Sequence, residues 1–510
     1  MALAVLLAAD VSHWLRNVAP SAQLSLDSRR IQRGDVFLAC PGDSGDGRDY
    51  ISQAIEAGAR VIVFDTADEF EWKSEWEVEH CGVPGLAASV GRIAFDWYGQ
   101  PDSDMFSVAV TGTNGKTSCT QWLGQALSRE GWPTCVVGTL GVGLYRHGES
   151  GEFQPTGFTT PDAVQLARQL AAMRHTGAKA LAIEASSIGL AQGRLSHLHV
   201  DVAVLTNFTR DHLDFHGDMM AYEAAKATLF DWPGLQHAVI NLDDPMGLRR
   251  LAQLQVRQPR VEVIGYTTEG VTAKDIAVLT AADIRVSQHG AIFQLSSPFG
   301  SGTVRTHLIG HFNVSNVLAV AGVLFARGLA WNSVIRHLES LFAVPGRMQQ
   351  LGGHDGPLAV IDYAHTPDAL DKALNTLRQV ADVRHGQLWC VFGCGGDRDP
   401  GKRAQMGIAA RAADHLVITS DNPRSEEPSA IIAQILAGTS DMDKDRVQVI
   451  EDRANAILSA IRHAGKHDVV LVAGKGHEDY QEIKGRKLAF RDADHAALAL
   501  ATRATRYGGH

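Results

Sequence analysis

Short apolar runs alternate with stretches of helical composition along most of the chain, and this alternation limits the possible fold more than any other feature of the sequence. Parallel strands need a long crossover between them, usually a helix, so the alternation predicts parallel α/β units. A chain of 510 residues is too long for one hydrophobic core, and we therefore expect several domains. The predicted strands cover residues 36–39, 61–64, 106–110, 134–137, 180–183, 202–205, 238–240, 358–361, 388–392, 416–418 and 469–472.

Polar or glycine-rich clusters follow four predicted strands in the last third of the chain. They cover residues 362–365, 393–399, 420–424 and 474–478 and contain Arg, Asp, Asn and His side chains. In open α/β sheets, ligands bind beyond the carboxyl ends of the strands, so we expect the four clusters to form one site. The alternative is that each cluster is a turn or a helix cap.

The predicted strand at 106–110 leads into a loop with the composition of a phosphate-binding loop, followed by a predicted helix at 118–128. Gly112 and Gly115 allow backbone N–H groups to wrap a polyphosphate. Lys116 can reach the outer phosphates, and the hydroxyl of Thr117 can hold Mg²⁺. Val110 stands where the common GxxxxGK[ST] pattern has its first glycine, and a structural turn is the alternative. The order of strand, loop and helix favours nucleotide binding.

Two further segments, 184–187 and 207–218, are rich in possible metal ligands. Mg²⁺ prefers oxygen ligands and keeps several waters, so a carboxylate, the Thr117 hydroxyl and nucleotide phosphates would suffice to hold it. The Asp and His side chains of 207–218 could equally form a transition-metal hydrolase site, or a solvated acidic loop. In the predicted helix that follows, spacing alone predicts a surface ion pair between Glu223 and Lys226.

The composition argues against nucleic-acid or membrane partners. The formal net charge of −10 gives no global basic field, and no apolar run approaches the length that spans a bilayer. The six cysteines show no paired CxxC spacing and are typical of reduced thiols in a cytoplasmic protein. Residues 3–9 are apolar, but no Lys or Arg precedes them, so an opening helix or strand is expected rather than a signal peptide.

Taken together, these segments resemble the Mur ligases of peptidoglycan synthesis, and the resemblance covers nearly the whole chain. It implies an α/β protein of three domains, with a central P-loop-type parallel sheet and a C-terminal Rossmann-like domain. The implied domains are 1–101 for the UDP-linked substrate, 102–343 for ATP and 344–510 for the incoming amino acid. The segments that carry the resemblance are 112–117, 184–187, 207–217, 222–226, 310–316, 346–348, 362–368, 393–403, 421–424 and 474–480.

The resemblance implies an ATP-dependent ligase that joins an acid to an amino acid through an acyl phosphate. Within the family, the chain looks like the ligases that add meso-diaminopimelate to UDP-N-acetylmuramoyl-L-alanyl-D-glutamate. Diaminopimelate differs from lysine by one carboxylate, which a guanidinium binds bidentately, so Arg398 and Arg424 favour diaminopimelate. The alternatives are a ligase that adds lysine, a ligase similar to folylpolyglutamate synthase, and a P-loop NTPase that drives a conformational change in a partner.

The family pattern also implies roles for individual residues, with ATP and Mg²⁺ as cofactors, small-molecule substrates as the partners, and a monomeric protein. Two positions depart from the pattern, since Ile188 and Asp43 stand where many relatives have histidine.

The resemblance implies that Lys226 is carbamylated and joins Thr117, Glu184 and His212 around Mg²⁺. It also implies that Lys116, Lys226, Glu184 and His212 are catalytic. ATP would be bound by Gly112, Thr113, Asn114, Gly115, Lys116, Thr117, Asn313, Arg347 and His365. The UDP-linked substrate would be bound by Leu26, Ser28, Thr159, Thr160, Ser186, Gln192 and Arg194. Diaminopimelate would be bound by Arg398, Asp421, Asn422, Pro423, Arg424, Gly474 and Glu478.

Overall fold

The computed structural model describes residues 5–42, 45–440 and 444–507, so Asp43 lies outside the described residues. The chain forms two compact units. The first unit comprises Met1–Ala109, Leu127–Ala203 and Asp231–Leu235, and the second comprises Val110–Ala126, Val204–Phe230 and Gln236–His510. Among the described residues, no helix combines the length and the apolar character needed to span a membrane.

The first unit begins with a helix and a small parallel sheet. The elements are α1 Ala8–Val18, β1 Leu24–Ser25, β2 Val36–Ala39, β3 Pro41–Gly42, β4 Gly45–Asp46, α2 Ile51–Glu56, β5 Val61–Asp65, β6 Glu79–Val83 and α3 Leu86–Trp97. The sheet has the order β1-β2-β5-β6, and its pairings are parallel. β2 and β5 are buried along their whole length, which explains why each reads as an unbroken apolar run.

The next stretch of chain contains the predicted phosphate loop. Its elements are β7 Phe106–Thr111, α4 Lys116–Arg129, β8 Thr134–Gly138, β9 Gly141–Arg146, β10 Glu149–Ser150, α5 Ala163–His175, β11 Ala180–Glu184, α6 Ser187–Ala191 and β12 Val202–Leu205. Within the first unit, β8 pairs in parallel with β11 and antiparallel with β9, and β9 pairs antiparallel with β10. The Asp162 carboxylate caps α5 by accepting from Gln165 N, so this helix begins where the sequence supplies an acceptor.

The middle of the second unit joins parallel strands to an antiparallel meander. Its elements are α7 Leu213–His216, α8 Met219–Ala227, β13 His237–Asn241, α9 Pro245–Arg257, β14 Glu262–Thr267, β15 Ala277–Ser287, β16 Gly290–Ser297, β17 Gly300–Thr306, α10 His311–Ala326 and α11 Trp331–Glu339. β13, β14 and β15 pair in parallel, whereas β15, β16 and β17 pair antiparallel. Helix α10 is buried on nearly all sides and packs against β13, β14 and β15.

The remainder of the second unit is a sheet with helices on both faces. Its elements are β18 Gln349–Gly352, β19 Leu358–Asp362, α12 Pro367–Arg384, β20 Leu388–Phe392, α13 Gly401–Ala410, β21 His415–Ile418, α14 Pro428–Leu436, β22 Val447–Val449, α15 Arg453–His463, β23 Val469–Ala473, β24 Tyr480–Ile483, β25 Arg486–Ala489 and α16 Asp492–Tyr507. Six of these strands form a sheet of order β18-β19-β23-β20-β21-β22, in which the β18–β19 pairing is antiparallel and the others are parallel. β24 and β25 form a separate antiparallel pair. Val469 and Leu471 face one core, whereas Val470 and Val472 face the other. Burial on both faces therefore produces the continuous apolar run at 469–472.

The mixed α/β fold predicted from the sequence is confirmed. Every predicted strand lies within an observed strand, the predicted helix 118–128 lies within α4, and residues 222–226 lie in α8. The six cysteines are free, as expected for reduced thiols. The antiparallel strands β15 to β17 were not predicted.

Candidate active site

The loop between β7 and α4 has the conformation that a phosphate-binding loop needs. Gly112 and Gly115 have φ values of 140° and 87°, in the region that favours glycine. A Cβ at Gly112 would lie 1.9 Å from Thr206 Oγ1, and one at Gly115 would lie 2.4 Å from Asn316 Oδ1. Both glycines are therefore required by the backbone conformation and by close packing.

The segment that follows β12 holds this loop in place. Thr206 Oγ1 donates to the Asn114 carbonyl at 2.6 Å, and Asn114 N donates to Asn207 Oδ1 at 3.0 Å. Thr113 Oγ1 donates to the Thr209 carbonyl and accepts from Thr209 N. The loop backbone is thus pre-organised by hydrogen bonds from Thr206, Asn207 and Thr209, whose support for the loop was not predicted from the sequence.

We expect Gly112→Ala to weaken ATP binding by about tenfold or more and to lower the free energy of unfolding by about 1–3 kcal/mol. The methyl group would collide with Thr206 Oγ1 and displace the loop. Isothermal titration with a non-hydrolysable ATP analogue and a thermal melt measure the two effects.

Gly131→Ala is the matched control, because Gly131 also has a positive φ of 85° but no atom lies within 4 Å of its added Cβ. This variant should carry a strain of about 1 kcal/mol and bind the nucleotide normally. Equal nucleotide affinity in wild type and Gly112→Ala would contradict the role assigned to the loop.

Side chains from α4 and the C-terminal part of the second unit surround the loop. Lys116 Nζ donates to the carbonyl oxygens of Gly112 and Thr113 at 3.0 and 2.9 Å. Arg347 Nη2 donates to Thr117 Oγ1 at 3.0 Å, and its guanidinium lies over the Tyr363 ring. The predicted ATP-binding residues Lys116, Thr117 and Arg347 are therefore brought together.

Two buried nitrogen atoms near the loop have no hydrogen-bond partner among the described residues: Arg347 Nε and His477 Nδ1. The His477 ring packs on Tyr363, and burial, with the nearby Arg347 charge, lowers the pKa of His477 to about 3. Unsatisfied buried polar atoms are costly, so these two are explained if a polar ligand completes the site.

The remaining predicted ATP-binding residues also lie in the second unit. Asn313 is buried, donates to the Ile309 carbonyl and accepts from Asn316, the residue that packs against Gly115. His365 bonds the Tyr363 carbonyl through Nδ1, and burial lowers its pKa. Asn313 is thus linked to the phosphate loop through Asn316.

Lys226 is buried on α8 rather than exposed. Its Nζ donates to the Gly112 carbonyl at 2.8 Å and lies 4.5 Å from the Tyr222 ring centroid. Burial, and then the Lys116 charge, lower the pKa of Lys226 well below its ordinary value. The surface ion pair that spacing predicts is wrong, since Glu223 instead accepts from Arg249 at 2.6 and 2.9 Å.

His212 and Asp211 lie beside this lysine in the same unit. His212 Nε2 is 3.4 Å from Asp211 Oδ2, and His365 Nε2 is 4.0 Å from the same oxygen. Burial lowers the pKa of His212 to about 4, so its imidazole is neutral near pH 7. Burial opposes the ionisation of Asp211, but the neighbouring histidines and Lys402 hold its pKa below the ordinary value.

The donors beside the phosphate loop include a hydroxyl and a carboxylate, the oxygen ligands that Mg²⁺ prefers. In the described parts of the chain, no group of three or more His, Cys, Asp or Glu side chains is arranged to hold a metal ion. Mg²⁺ commonly binds to a few protein oxygens and to substrate phosphates, and Thr117 at the loop supplies such an oxygen. A neutral His212 is also free of the charge that would repel a cation.

The first unit contains Glu184 and the residues predicted to bind the UDP-linked substrate. Glu184 is buried at the end of β11 and accepts from Thr139 N and Thr139 Oγ1 at 2.8 and 3.2 Å. Thr160 Oγ1 bonds the Glu184 carbonyl and Ser186 Oγ, and Arg194 donates to the Thr160 carbonyl. Glu184 as a metal ligand stays a prediction.

The other predicted substrate-binding residues of the first unit have varied surroundings. Thr159 Oγ1 is 3.3 Å from Thr139 Oγ1, and Ser28 Oγ donates to Gln53. Leu26 and Gln192 are half-buried, and Gln192 is the C-cap of α6. Ile188 lies inside α6 and is half-buried.

The four strand-end clusters of the C-terminal sheet come together as predicted. They follow β19, β23, β20 and β21, which are neighbouring parallel strands. Asn422 Nδ2 donates to Glu478 Oε2 at 2.8 Å, and Arg424 Nη1 donates to the Gly396 carbonyl at 2.6 Å. A Cβ at Gly395 would lie 3.0 Å from Arg424 Nη1 and 3.8 Å from Arg398 Cγ.

This cluster presents several charged groups to one loop region. Arg398 is exposed, and Arg424 is partly exposed with φ 53° and lies 3.4 Å from Glu482. A Cβ at Gly474 would lie 2.6 Å from Asp421 Oδ2, and one at Gly396 would lie 1.9 Å from the Pro423 carbonyl. Lys475 lies in the predicted segment 474–478 but was assigned no role from the sequence, and Glu482 joins the cluster from outside the predicted segments.

Comparison with known proteins gives a consistent result. Three family models match the chain: the Mur ligase middle domain over residues 110–324, the Mur ligase glutamate ligase domain over 346–476 and the Mur ligase family catalytic domain over 22–94. A UDP-N-acetylmuramoyl-L-alanyl-D-glutamate–2,6-diaminopimelate ligase from Janthinobacterium sp. (strain Marseille) is 61% identical over 495 residues, which cover 97% of each chain.

Solved structures agree with these sequence matches. The structure of a UDP-N-acetylmuramoyl-L-alanyl-D-glutamate–2,6-diaminopimelate ligase has a TM-score of 0.66 at 36% identity, covering 94% of this chain and 95% of that chain. The MurF ligase from Thermotoga maritima in complex with ADP has a TM-score of 0.65 at 19% identity, covering 95% of this chain and 99% of that chain. The second similarity concerns the fold alone.

Proposed function

The chain belongs to the Mur ligase family, and we propose that it joins meso-2,6-diaminopimelate to UDP-N-acetylmuramoyl-L-alanyl-D-glutamate with the consumption of ATP, a step of peptidoglycan precursor synthesis. The observation that carries the proposal is that the second unit combines a pre-formed phosphate loop with a strand-end cluster rich in Arg, Asn and Glu. These are the groups needed to bind a triphosphate and a zwitterionic amino acid.

The reaction requires activation because a carboxylate is a poor acyl donor. Transfer of the γ-phosphoryl group to a carboxylate oxygen of D-glutamate gives an acyl phosphate and ADP. The amine then attacks the carbonyl carbon, the bond between that carbon and the phosphate oxygen breaks, and phosphate and one proton are released. The main requirement is stabilisation of charge on the phosphoryl oxygens.

Lys116 is the first residue that supplies this stabilisation. Its ammonium is already held at the loop by the carbonyl oxygens of Gly112 and Thr113, so it needs only to exchange these oxygens for those of the outer phosphates. Arg347, which donates to Thr117, brings a second positive charge to the same region. Asn313 and His365 are assigned to nucleotide binding with Arg347.

Lys226 is assigned the role of a carbamate. A neutral amine attacks CO₂ and loses a proton, which turns a cationic side chain into an anionic oxygen ligand. The burial that lowers the pKa of Lys226 favours the neutral amine that this reaction needs. Thr117, His212 and the carbamate, all in the second unit, are assigned to Mg²⁺. When bound, Mg²⁺ supplies charge stabilisation for phosphoryl transfer.

The choice of amino acid is assigned to Arg398, Arg424, Asn422 and Glu478. A guanidinium binds a carboxylate through parallel N–H donors, and diaminopimelate carries a distal carboxylate that lysine lacks. Glu478 can accept from the distal ammonium. Asp421, Pro423 and Gly474 shape the same loops by the close approaches described above.

The UDP-linked substrate is assigned to residues of the first unit, namely Leu26, Ser28, Thr159, Thr160, Ser186, Gln192 and Arg194. Arg194 lies over the Phe158 ring and donates to the Thr160 carbonyl, which leaves a positive charge beside polar side chains suited to an acidic peptide. We place the enzyme in the cytoplasm as a monomer that acts on small molecules and needs neither nucleic acid nor a membrane.

A phosphate-release assay tests the proposal. With ATP, Mg²⁺ and UDP-N-acetylmuramoyl-L-alanyl-D-glutamate, we expect phosphate release to depend on diaminopimelate, with kcat/KM at least about a hundredfold higher than for lysine. The distal carboxylate offers the arginines a partner that lysine does not have.

The same assay separates the alternatives. Equal rates with lysine would assign the chain to lysine addition, and release with a folate in place of the muramoyl dipeptide would favour a folylpolyglutamate synthase-like ligase. Release with neither acid nor amino acid would favour an NTPase.

A further inference from the structure

Lys475 is a fully buried lysine in the loop after β23, inside the strand-end cluster. Its Nζ donates to Asn422 Oδ1 at 3.1 Å and to Glu478 Oε2 at 2.8 Å. Burying an ammonium is costly unless it is paired and hydrogen-bonded, so these two contacts hold both the lysine and its partners in fixed positions. With no exposed surface, Lys475 acts on a substrate only through its neighbours.

The contacts of Asn422 determine which way its amide points. Asn422 Oδ1 accepts from Lys475 Nζ and also from Glu482 N at 2.9 Å. A flipped amide would place its NH₂ group against these two donors, which excludes that orientation. Asn422 Nδ2 therefore faces Glu478 Oε2 at 2.8 Å and keeps a second N–H for another acceptor.

The contacts of Glu478 determine its orientation in the same way. Its Oε2 accepts from both Lys475 and Asn422, whereas Oε1 has no hydrogen-bond partner among the described residues. The result is an N–H donor on Asn422 and a carboxylate acceptor on Glu478 held side by side. This arrangement matches an amino-acid head group, which carries both a carboxylate and an ammonium.

We propose that Lys475 is a positioning residue that determines specificity for the amino acid, because it fixes the orientation of the Asn422 amide and the Glu478 carboxylate. The proposal rests on the proposed function, since it deepens the role of the diaminopimelate-binding cluster. Without Lys475, the amide loses one of the two donors that orient it and Glu478 loses its cationic partner. The distal carboxylate of diaminopimelate then loses a pre-oriented N–H donor on Asn422. Binding of lysine is weakened less, because lysine has no distal carboxylate.

The test is Lys475→Met, which keeps the length of the side chain and removes the ammonium. We expect KM for diaminopimelate to rise about 10- to 100-fold, the range for loss of hydrogen bonds to a charged group, with kcat changed less. KM for ATP and for the muramoyl dipeptide should stay unchanged. The preference for diaminopimelate over lysine in kcat/KM should fall, which a general loss of stability would not cause.

Arg378→Met is the matched control. Arg378 is a paired cation on α12, bonded to Asp414 at 2.8 Å beside the amino ends of β20 and β21, so its loss should leave the amino-acid preference unchanged. If Lys475→Met is too unstable to assay, Lys475→Gln, which keeps a donor, should show a smaller change in the same direction.

The outcomes are distinguishable from failure of the proposed function. Wild-type protein without diaminopimelate-dependent phosphate release refutes the proposed function itself. A folded Lys475→Met or Lys475→Gln variant that keeps the wild-type KM for diaminopimelate and the wild-type preference over lysine overturns the role of Lys475. A parallel rise in the KM for ATP also overturns it, because it indicates a general structural effect.

Discussion

The Lys226→Ala variant should lose nearly all ligase activity, with kcat reduced about a hundred- to a thousandfold, comparable to removing one group that stabilises transition-state charge. The change removes the buried amine that carries the proposed carbamate, together with its hydrogen bond to the Gly112 carbonyl. Acetate or formate, added at increasing concentration, should partly restore the rate by supplying an anionic oxygen to the vacated space. Phosphate release with diaminopimelate measures both effects.

Glu223→Gln is the control for Lys226→Ala on the same helix. Glu223 pairs with Arg249 at a partly exposed site, where an ion pair contributes little to stability, so this variant should keep wild-type activity. A thermal melt establishes that both variants are folded. A fully active Lys226→Ala enzyme would refute the carbamate role. A folded, inactive variant that no added carboxylate restores would refute the proposal that residue 226 supplies an anionic oxygen ligand.

The Arg424→Ala variant should lose diaminopimelate addition, with kcat/KM for diaminopimelate lowered about a hundred- to a thousandfold and ATP affinity nearly unchanged. In the structure, Arg424 Nη1 donates to the Gly396 carbonyl and Nε lies 3.4 Å from Glu482 Oε2, and Nη2 has no hydrogen-bond partner among the described residues. Because Arg424 already carries a Cβ at φ 53°, alanine adds no backbone strain. Steady-state kinetics with varied diaminopimelate and a separate ATP titration measure the two quantities.

Lys484→Ala serves as the control for Arg424→Ala. Lys484 N donates to the Arg424 carbonyl, but the Lys484 ammonium pairs with Glu427 on the exposed surface, so its removal should leave diaminopimelate addition unchanged. Arg424→Lys should restore only part of the activity, since an ammonium lacks the planar fork of a guanidinium. Wild-type efficiency in Arg424→Ala would disprove the assignment of this residue.

Buried parallel strands were the part of the fold that could be predicted from the sequence. Strands such as β2 and β23 are covered on both faces, so nothing interrupts their apolar runs. β16 has alternating burial along its length and antiparallel neighbours. Its sequence therefore mixes polar and apolar residues and lacks the continuous apolar run by which the other strands were predicted. Hence the meander at β15 to β17 was missed although the α/β class was recognised.

The candidate site was predictable where a residue type has few alternative uses. Gly112 and Lys116 at a strand–helix junction are typical of a phosphate-binding loop and of few other structures. The structure shows the loop that they form. Spacing suggested a surface ion pair for Lys226 because burial of α8 depends on packing from distant parts of the chain. Lys475 lies in the predicted cluster at 474–478 but was given no role of its own, because its significance comes from Asn422, 53 positions earlier in the chain.

The parallel arrangement of β19, β23, β20 and β21 has a consequence for how such an enzyme can be altered. Each of these strands is followed by its own loop, and most of the strand side chains are buried in the two apolar cores that cover the sheet, so we expect a loop to be exchangeable with little disturbance of the interior. An engineer who wants a different amino acid to be added should therefore graft the segments at 396–398, 422–424 and 474–478 and leave every strand untouched. The choice of amino acid can thus be changed by replacing loops, while the sheet that carries them is kept.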